Sequence, residues 1–318
     1  MVVPTHNRPE FLREAVASVA SQGDADCELV VVDDGSVPAI DRATLGIGPS
    51  GTLVFIRHAA AQGVSRAKNA GVRAATGEII LILDDDDLLA PLALARIRDA
   101  FAEYPGLDCL FLGVEPFGEQ SHNAAQNRRQ AIEKVIAIAD RQDEAGRCFF
   151  DERLFAALVR SVPIDFQRPA ARRGTWNIVG GFDEAGLFAE SGWAIRAAAL
   201  CSVALATQVL TRWRIHANNF GGQVGRDARS AHLRQLDNGL AGARALVDQF
   251  RRERDKVHER LTLLESRLSD NHFDKAYALR GLRGTEGAKA LVKSFSLRPQ
   301  LKHVKLILRY LLPLRRRG

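Results

Sequence analysis

The stretch from residue 76 to residue 91 reads TGEIILILDDDDLLAP. Five consecutive aliphatic residues, Ile79 to Leu83, stand between Gly77 and four aspartates. A short aliphatic run with such boundaries is typical of a strand that is buried on both faces of a helix-covered parallel sheet. The aspartates would then lie at the carboxyl end of the strand, which is the edge where open α/β sheets bind their ligands.

The acid cluster Asp84–Asp87 has two interpretations. Four adjacent carboxylates repel one another at neutral pH, and a divalent cation would relieve that repulsion. Alternatively, the cluster is a solvated acidic turn that caps the next helix, because acidic side chains are favoured at helix N-termini. The stretch alone leaves both interpretations open.

Strand and helix patterns alternate over the first 83 residues. Strands are predicted at 1–5, 28–32 and 53–56, and a helix at 10–21 carries apolar residues at helical spacing. A second helix opens in the segment 63–71. This alternation predicts a parallel, doubly wound sheet with right-handed crossovers. Three of its strands end in polar residues, so we expect those side chains to meet at one edge of the sheet.

Composition and charge restrict the class of protein. The 318 residues are 46% hydrophobic and 26% charged, as in ordinary globular proteins. The net charge of +6 comes from residues 289–318, which hold nine Lys and Arg and no Asp or Glu. Because the remaining residues carry 35 basic against 38 acidic side chains, a nucleic-acid-binding fold is not expected.

The cysteines and the apolar segments give three further expectations. Four scattered cysteines without a CxxC pair predict free thiols and no structural zinc site. No run of about 18 apolar residues occurs, so no transmembrane helix is expected. The sequence does not open with a basic and then apolar leader, which predicts a cytoplasmic protein, peripheral on the membrane if it binds one.

Six segments, in this order, resemble glycosyltransferase family 2: PTHNR, VVVDDGS, GVSRAKNAG, ATGEIILILDDDDLL, GGFDE and RIHANN. The resemblance spans residues 2–220, about two thirds of the chain. It implies an α/β catalytic domain over 1–225 with the GT-A fold, a mixed sheet with helices on both faces. It also implies inverting, metal-dependent transfer of a sugar from a nucleotide-sugar, by default a UDP-sugar, to a glycan or lipid-linked glycan.

The resemblance further implies a set of donor-binding residues. Those near the nucleoside and ribose would accept hydrogen bonds, and the two basic residues would meet the diphosphate or the acid cluster. The set is Thr5, Asn7, Asp33, Asp34, Arg66, Lys68, Asp84 and Asp85. The simpler alternatives are a strand-ending turn at Asp33–Ser36 and solvated basic residues on a helix.

In the same resemblance, Asp86 is the direct ligand of Mn²⁺ or Mg²⁺, ions that prefer oxygen ligands and keep several waters. His216 would reach the metal or the diphosphate, although a lone histidine is more often structural. Asp87 has no assigned role and is a candidate cap for the next helix.

The general base is expected near residue 190. In the family, a Glu-Asp pair opens a helix that has an arginine six residues after the aspartate, and counting back from Arg196 places Glu190 at the aspartate position. Glu190 would take the proton of the acceptor hydroxyl. The sequence departs from the pattern, because the residue is glutamate and its neighbour is Ala189. Asp183 and Glu184 are therefore alternative bases, and a helix-capping acid is the simpler alternative.

The C-terminal third carries two helical patterns. Apolar residues at spacings of three and four over 233–268 predict a coiled coil within residues 226–270, for self-association or for packing on the catalytic domain. In the tail, residues 271–318, a helix over 300–312 would place Leu301, Val304, Leu308 and Leu311 on one stripe and Lys302, Lys305 and Arg309 on another. Such a helix, within 289–318, predicts binding to an anionic membrane surface or docking on the protein itself.

Two other classes of protein remain as alternatives. A nucleotidyltransferase of related fold would typically have a glycine-rich phosphate-binding loop after the first strand, where this chain has Pro4–Pro9. A non-catalytic nucleotide-sugar-binding scaffold would explain the irregular segment around Glu190 and a tail that recruits partners.

Overall fold

The computed structural model of the chain describes residues 1–23, 26–45, 52–119, 121–184, 189–216, 244, 247, 258–279 and 285–311. The described strands are β1 (Val2–Thr5), β2 (Leu29–Asp33), β3 (Leu53–Arg57), β4 (Ile79–Leu81), β5 (Leu88–Leu89), β6 (Cys109–Gly118), β7 (Arg141–Gln142), β8 (Arg147–Phe149), β9 (Pro169–Arg172) and β10 (Val203–Ile215). The described helices are α1 (Pro9–Ala20), α2 (Val64–Ala74), α3 (Ala93–Glu103), α4 (Ser121–Ile136), α5 (Arg153–Arg160), α6 (Arg173–Val179), α7 (Ala189–Leu200), α8 (His258–Leu279), α9 (Glu286–Leu297) and α10 (Leu301–Leu311).

The chain divides into two compact units. The first comprises Met1–Glu184 and Ala189–Ala217, and the described residues beyond position 217 belong to the second. The predicted domain boundary at 225 and most of the predicted coiled coil fall outside the described residues. Leu264 and Leu268, at its C-terminal end, are buried within the single chain, so self-association stays a prediction.

The first unit contains the mixed α/β sheet that the sequence predicts. β1, β2 and β3 are parallel neighbours, and a second sheet runs in the order β4-β9-β6-β10-β8-β7. In the second sheet β6 and β10 are parallel, whereas β9 is antiparallel to both β4 and β6. The fold class of the prediction, an α/β mixed sheet with a helical C-terminal region, is confirmed.

The aliphatic run connects the two sheets. Ile80 to Leu83 are buried, as their composition predicts. Ile82 forms an isolated parallel bridge with Val2, and the Leu83 N–H donates to the Val2 carbonyl oxygen at 3.0 Å. This pairing brings the acid cluster to the carboxyl end of β1.

The prediction that Asp87 caps the next helix is wrong. The cluster is followed by β5, whose Leu89 pairs with Thr211 of β10. Helix α3 begins only at Ala93, with Leu92 at its N-cap position. Residues 88–92, of which Leu88 and Leu89 form a strand, therefore separate the acids from the helix that Asp87 was expected to cap.

The second unit packs its last helices around a small apolar cluster. Ala276 of α8, Ala290 and Leu291 of α9 and Leu306 of α10 form its centre. None of the helices, over the residues described, has both the length and the apolar composition to cross a membrane.

Candidate active site

Asp34, just after β2, is held by the main chain of another loop. Its carboxylate accepts the N–H groups of Gln62 at 2.9 Å and Gly63 at 2.8 Å, and lies 2.7 Å from His58 Nδ1. Gly35 permits this approach: its φ is +72°, and a Cβ there would lie 2.5 Å from the main chain of Ala60. Burial acts to raise the pKa of Asp34, but these hydrogen bonds outweigh it and lower that pKa.

Asp33 is fully buried and stabilises the loop that follows β2. Its carboxylate accepts the Ser36 N–H at 2.9 Å and forms an ion pair with Arg57. The predicted nucleotide contact of Asp33 remains untested, but in this structure its oxygens are sealed inside the protein.

The loop after β1 joins the β2 loop to the acid cluster. Thr5 Oγ1 donates to Asp85 Oδ2 at 2.7 Å. Asn7, in the left-handed region at φ 56°, donates its N–H to Ser36 Oγ at 2.8 Å and accepts the Val37 N–H at 2.7 Å. The structure thus brings together the polar ends of three strands, at the edge where they were expected to meet.

Asp85 and Asp86 share one guanidinium. Arg8 Nη1 lies 3.2 Å from Asp85 Oδ1 and 2.8 Å from Asp86 Oδ2. Burial and the neighbouring Asp86 raise the pKa of Asp85 to about 6, while Thr5 and Arg8 act in the opposite direction. The Asp85–Asp86 pair is therefore neutralised in part by a side chain that is itself one-third exposed.

Asp84 and the candidate base Glu190 share one ammonium. Lys68 Nζ, on α2, lies 2.7 Å from Asp84 Oδ1 and 2.5 Å from Glu190 Oε1, and the lysine side chain is only 3% exposed. Burial acts to lower the Lys68 pKa, but the two carboxylates outweigh it and raise that pKa. Burial also acts to raise the pKa of Asp84, yet Lys68 and then Arg168 lower it to about 2. A buried, charged lysine thus links the acid cluster to Glu190.

Asp87 is the structural member of the cluster. It is fully buried, accepts from Arg168 Nη2 at 2.7 Å and Nε at 3.0 Å, and accepts the Arg214 N–H at 3.1 Å. Arg214 also donates from Nε to the Asp86 carbonyl oxygen at 2.9 Å. These bonds fix the turn 84–87 against β10 and against Arg168, the residue just before β9.

The turn before α7 is fixed by Asn69 of α2. Asn69 accepts the Phe182 N–H at 2.8 Å and donates to the Phe182 carbonyl oxygen at 2.9 Å. Gly181 allows this contact, because a Cβ at that position would lie 2.6 Å from Asn69 Oδ1. Glu184 accepts from Asn69 at 3.1 Å and from Arg66 Nε at 3.1 Å. Arg66 is therefore directed to this turn and not to the acid cluster.

His216 and Asp86 suit a divalent ion in part. Asp86 Oδ2 and His216 Nε2 are 3.1 Å apart, close to the separation of about 3 Å expected for adjacent ligands on an octahedral ion with bonds of about 2.1 Å. Among the residues described, no three His, Cys, Asp or Glu side chains converge into a complete metal site. The donor set therefore fits an ion that takes its other ligands from a bound diphosphate and water.

Sequence reasoning missed three of the cations: Arg8, Arg168 and the role of Arg214. Arg8 and Arg214 lie inside the quoted segments PTHNR and RIHANN, so the need of four carboxylates for counter-charges could have identified them. Arg168 carries no local signal, because it is 81 positions away from Asp87.

The comparisons with known proteins identify the family of the chain. The profile of Glycosyl transferase family 2 matches residues 1–161, half of the chain. The chain therefore belongs to glycosyltransferase family 2.

Its curated relatives are similar over shorter stretches. The chain is 35% identical over 128 residues to the O-antigen biosynthesis protein RfbC of Myxococcus xanthus, over 39% of this chain and 10% of that one. It is 32% identical over 99 residues to the GalNAc(5)-diNAcBac-PP-undecaprenol beta-1,3-glucosyltransferase of Campylobacter jejuni, over 30% of this chain and 32% of that one. The matched part is thus about a third or less of the length of these relatives.

Solved structures share the fold over nearly the whole chain. S. aureus TarS 1-349 in complex with UDP-GlcNAc superposes with a TM-score of 0.61 at 14% identity, over 96% of this chain and 82% of that one. The mannosyltransferase PcManGT of Pyrobaculum calidifontis, in complex with GDP-Man and Mn²⁺, gives a TM-score of 0.55 at 19% identity, over 96% and 77%. At such identities the similarity concerns the fold alone.

Proposed function

We propose that the protein is an inverting, metal-dependent glycosyltransferase that moves a sugar from a nucleotide-sugar to a glycan or lipid-linked glycan acceptor. One observation carries the proposal: the ammonium of Lys68 contacts both Asp84 of the acid cluster and Glu190. Direct displacement needs a base for the acceptor and a stabilised leaving group close to one another, and this link supports that pairing.

Glu190 is the proposed base. The acceptor oxygen forms a bond to the anomeric carbon as the bond from that carbon to the diphosphate oxygen breaks, and the hydroxyl proton passes to the Glu190 carboxylate. Glu184 is a weaker candidate, because its two oxygens are engaged by Asn69 and Arg66 in fixing the preceding turn. Lys68 would act as a positioning residue that keeps the Glu190 carboxylate beside the donor.

Asp86 and His216 are the proposed ligands of Mn²⁺ or Mg²⁺, supported by their 3.1 Å separation. When bound, such an ion neutralises the charge that develops on the departing nucleoside diphosphate. Arg8, now on Asp85 and Asp86, is a second cation at the same place. Asp84 and Asp85 would face the ribose, the sugar or an ordered water.

The nucleoside would lie against the loops after β1 and β2, with Thr5, Asn7 and Asp34 in reach of its polar edge. A UDP-sugar is our first choice of donor, since one structural neighbour was solved with UDP-GlcNAc. A GDP-sugar is the second, since another was solved with GDP-Man. The names of the O-antigen and undecaprenol-linked relatives support a glycan acceptor.

A thermal-shift comparison of UDP and GDP, each with and without Mn²⁺, tests the donor class. A ligand that binds only the folded protein stabilises it by mass action, by about 2.7 kcal/mol at a concentration of 100 times its Kd, and so raises the melting temperature. A rise in melting temperature with UDP plus Mn²⁺, and not with GDP plus Mn²⁺, would establish a UDP-sugar as the donor type. The absence of a shift with either nucleotide would contradict the proposal at the level of donor binding.

Donor turnover, measured as release of the nucleoside diphosphate, tests the catalytic roles. Glu190→Gln should lower turnover about 100- to 10,000-fold, the usual contribution of a general base, and leave nucleotide-induced stabilisation in place. The matched control is Glu184→Gln, which removes a neighbouring carboxylate that is fixed by Arg66 and should change turnover little. If Glu190→Gln binds and turns over donor as the parent chain does, the base assignment is wrong; binding without turnover in the parent chain would instead favour the non-catalytic scaffold.

A further inference from the structure

Over its described side chains, residues 301–307, helix α10 (Leu301–Leu311) packs on the second unit through one face. His303 is fully buried, and its Nε2 lies 2.6 Å from Ser294 Oγ of α9 (Glu286–Leu297). Ser294 and Ser269 of α8 exchange hydrogen bonds between hydroxyl and carbonyl groups at 2.6 and 2.9 Å. Leu306 is buried in the apolar cluster beside them. The inward face of α10 is therefore centred on His303 and Leu306.

The outward face of α10 is apolar and basic. Leu301 is 82% exposed and Val304 is 46% exposed. Lys305 is exposed as well, and residues at spacings of three and four share one face of a helix. Lys302, by contrast, is used internally, since its Nζ lies 2.5 Å from Asp270.

Helix α9 repeats this composition. Val292 is 68% exposed and Phe295 is 40% exposed, and the exposed Lys289 and Lys293 stand within one turn of Val292. Five of the ten large hydrophobic side chains that the structure describes as exposed lie between residues 277 and 304. Single exposed apolar residues are ordinary, but a concentration of them marks an interaction surface.

We propose that the outward faces of α9 and α10 bind an anionic membrane surface. The charge argues for this partner: residues 289–318 hold nine Lys and Arg and no Asp or Glu, and basic residues beside an anionic leaflet attract its headgroups. The apolar side chains argue against a nucleic acid, which would gain little from Leu301, Val304 and Val292. Leucine and valine among lysines are the composition of helices that lie in the headgroup region. The inference goes beyond the proposed chemistry and does not depend on Glu190.

The test is sedimentation of the full chain with vesicles of phosphatidylcholine alone and of phosphatidylcholine with 30 mol% phosphatidylglycerol, at about 0.1 M salt. Binding to the anionic vesicles only is expected. Replacing Lys289, Lys293 and Lys305 together by Gln should weaken it about 100-fold, since each lysine near such a surface is worth roughly fivefold. The matched control replaces the exposed Arg129, Lys134 and Arg160 of the first unit by Gln and should leave binding unchanged.

The double variant Leu301→Gln/Val304→Gln separates a membrane from other polyanions. It keeps all charges and should still weaken vesicle binding about tenfold, because apolar area no longer leaves water. Ile178→Gln, at a 59% exposed position of the first unit, is its control. Melting temperatures establish that each variant is folded.

Three results would overturn the proposal: equal binding to neutral and anionic vesicles, no binding to either, or anionic binding that the double variant leaves intact. The third would mean attraction to polyanions in general, and single-stranded RNA competing as well as vesicles would lead to the same conclusion. The result is independent of donor turnover, so it stands or fails apart from the glycosyltransferase assignment.

Discussion

Two groups of aspartates lie at the same edge of the sheet and are held in different ways. Asp33 and Asp34 accept hydrogen bonds mainly from main-chain N–H groups, at Ser36, Gln62 and Gly63. The acid cluster Asp84–Asp87 is held mainly by side-chain cations, Arg8, Lys68 and Arg168.

This difference separates acids held by the main chain, here called framework acids, from acids held by side-chain cations, here called exchangeable acids. A main-chain N–H cannot leave without a change in the fold, so Asp33 and Asp34 would give the proposed nucleoside end a fixed shape. A lysine or arginine side chain can rotate away when a ligand brings its own charge. Asp84, Asp85 and Asp86 are therefore balanced by side chains, Arg8 and Lys68, whose exchange the proposed binding of a metal and a diphosphate would require.

Lys68→Met tests the most buried of the exchangeable cations. The substitution leaves Asp84 and Glu190 without their shared ammonium. Loss of one partner from a buried pair costs about 3–5 kcal/mol; since Asp84 and Glu190 are 27% and 19% exposed, we expect about 2–3 kcal/mol in urea unfolding.

Arg66→Met is the control for this prediction. Arg66 lies on the same helix and pairs with Glu184, but both side chains are about half exposed, so the loss should stay below about 1 kcal/mol. Adding Glu190→Gln to Lys68→Met should recover part of the stability. Equal losses in Lys68→Met and Arg66→Met would mean that Lys68 carries no special electrostatic role.

The sequence was sufficient to predict the α/β fold of the first unit. The strand–helix alternation and the run Ile79–Leu83 predicted an α/β sheet with the acids at its carboxyl edge, because a short aliphatic run has few other uses. The resemblance of six segments to glycosyltransferase family 2 predicted in addition that the sheet is mixed. These features depend on local patterns of hydrophobicity, which a sequence displays directly.

The partners of the acids could not be predicted in the same way. Lys68 meets Glu190 across 122 positions and Arg168 meets Asp87 across 81, and no local pattern marks such pairs. The tail shows a related limit: its helical period was right, but Leu301 and Val304, expected to be its packing stripe or its membrane stripe, point outward. The burial of His303 depended on the Ser294 hydroxyl of α9, which is itself hydrogen-bonded to Ser269 of α8.

Asp34→Asn tests the main-chain-held group. Asparagine offers one acceptor oxygen where Asp34 uses two, and its NH₂ would face the Gly63 N–H, so we expect the free energy of unfolding to fall by about 1–2 kcal/mol.

The pKa of Asp34 is lowered in the folded chain, so its stabilisation is present above the unfolded pKa of about 3.9 and lost as pH falls through the folded value. Urea unfolding from pH 7 to pH 3 should show a constant difference between parent and variant above about pH 5 that narrows in acid. A difference that is unchanged at pH 3 would contradict this origin.

Arg8→Gln tests the most exposed exchangeable cation and carries the smallest effect on folding. Its side chain is 35% exposed, so the free energy of unfolding should change by less than about 1 kcal/mol. The affinity for Mn²⁺ without nucleotide should rise about tenfold or more, because a single and a double positive charge repel by about 1.4 kcal/mol or more at separations within roughly 6 Å, even at the dielectric constant of water. Titration calorimetry, or the electron paramagnetic resonance signal of free Mn²⁺, measures this affinity without any need for turnover. Arg13→Gln, on helix α1 just after Arg8 and paired with Glu10, is the control and should leave Mn²⁺ affinity unchanged. Equal Mn²⁺ affinities in the two variants would place the ion away from Asp85 and Asp86, and the distinction between framework and exchangeable acids would then rest on Lys68 alone.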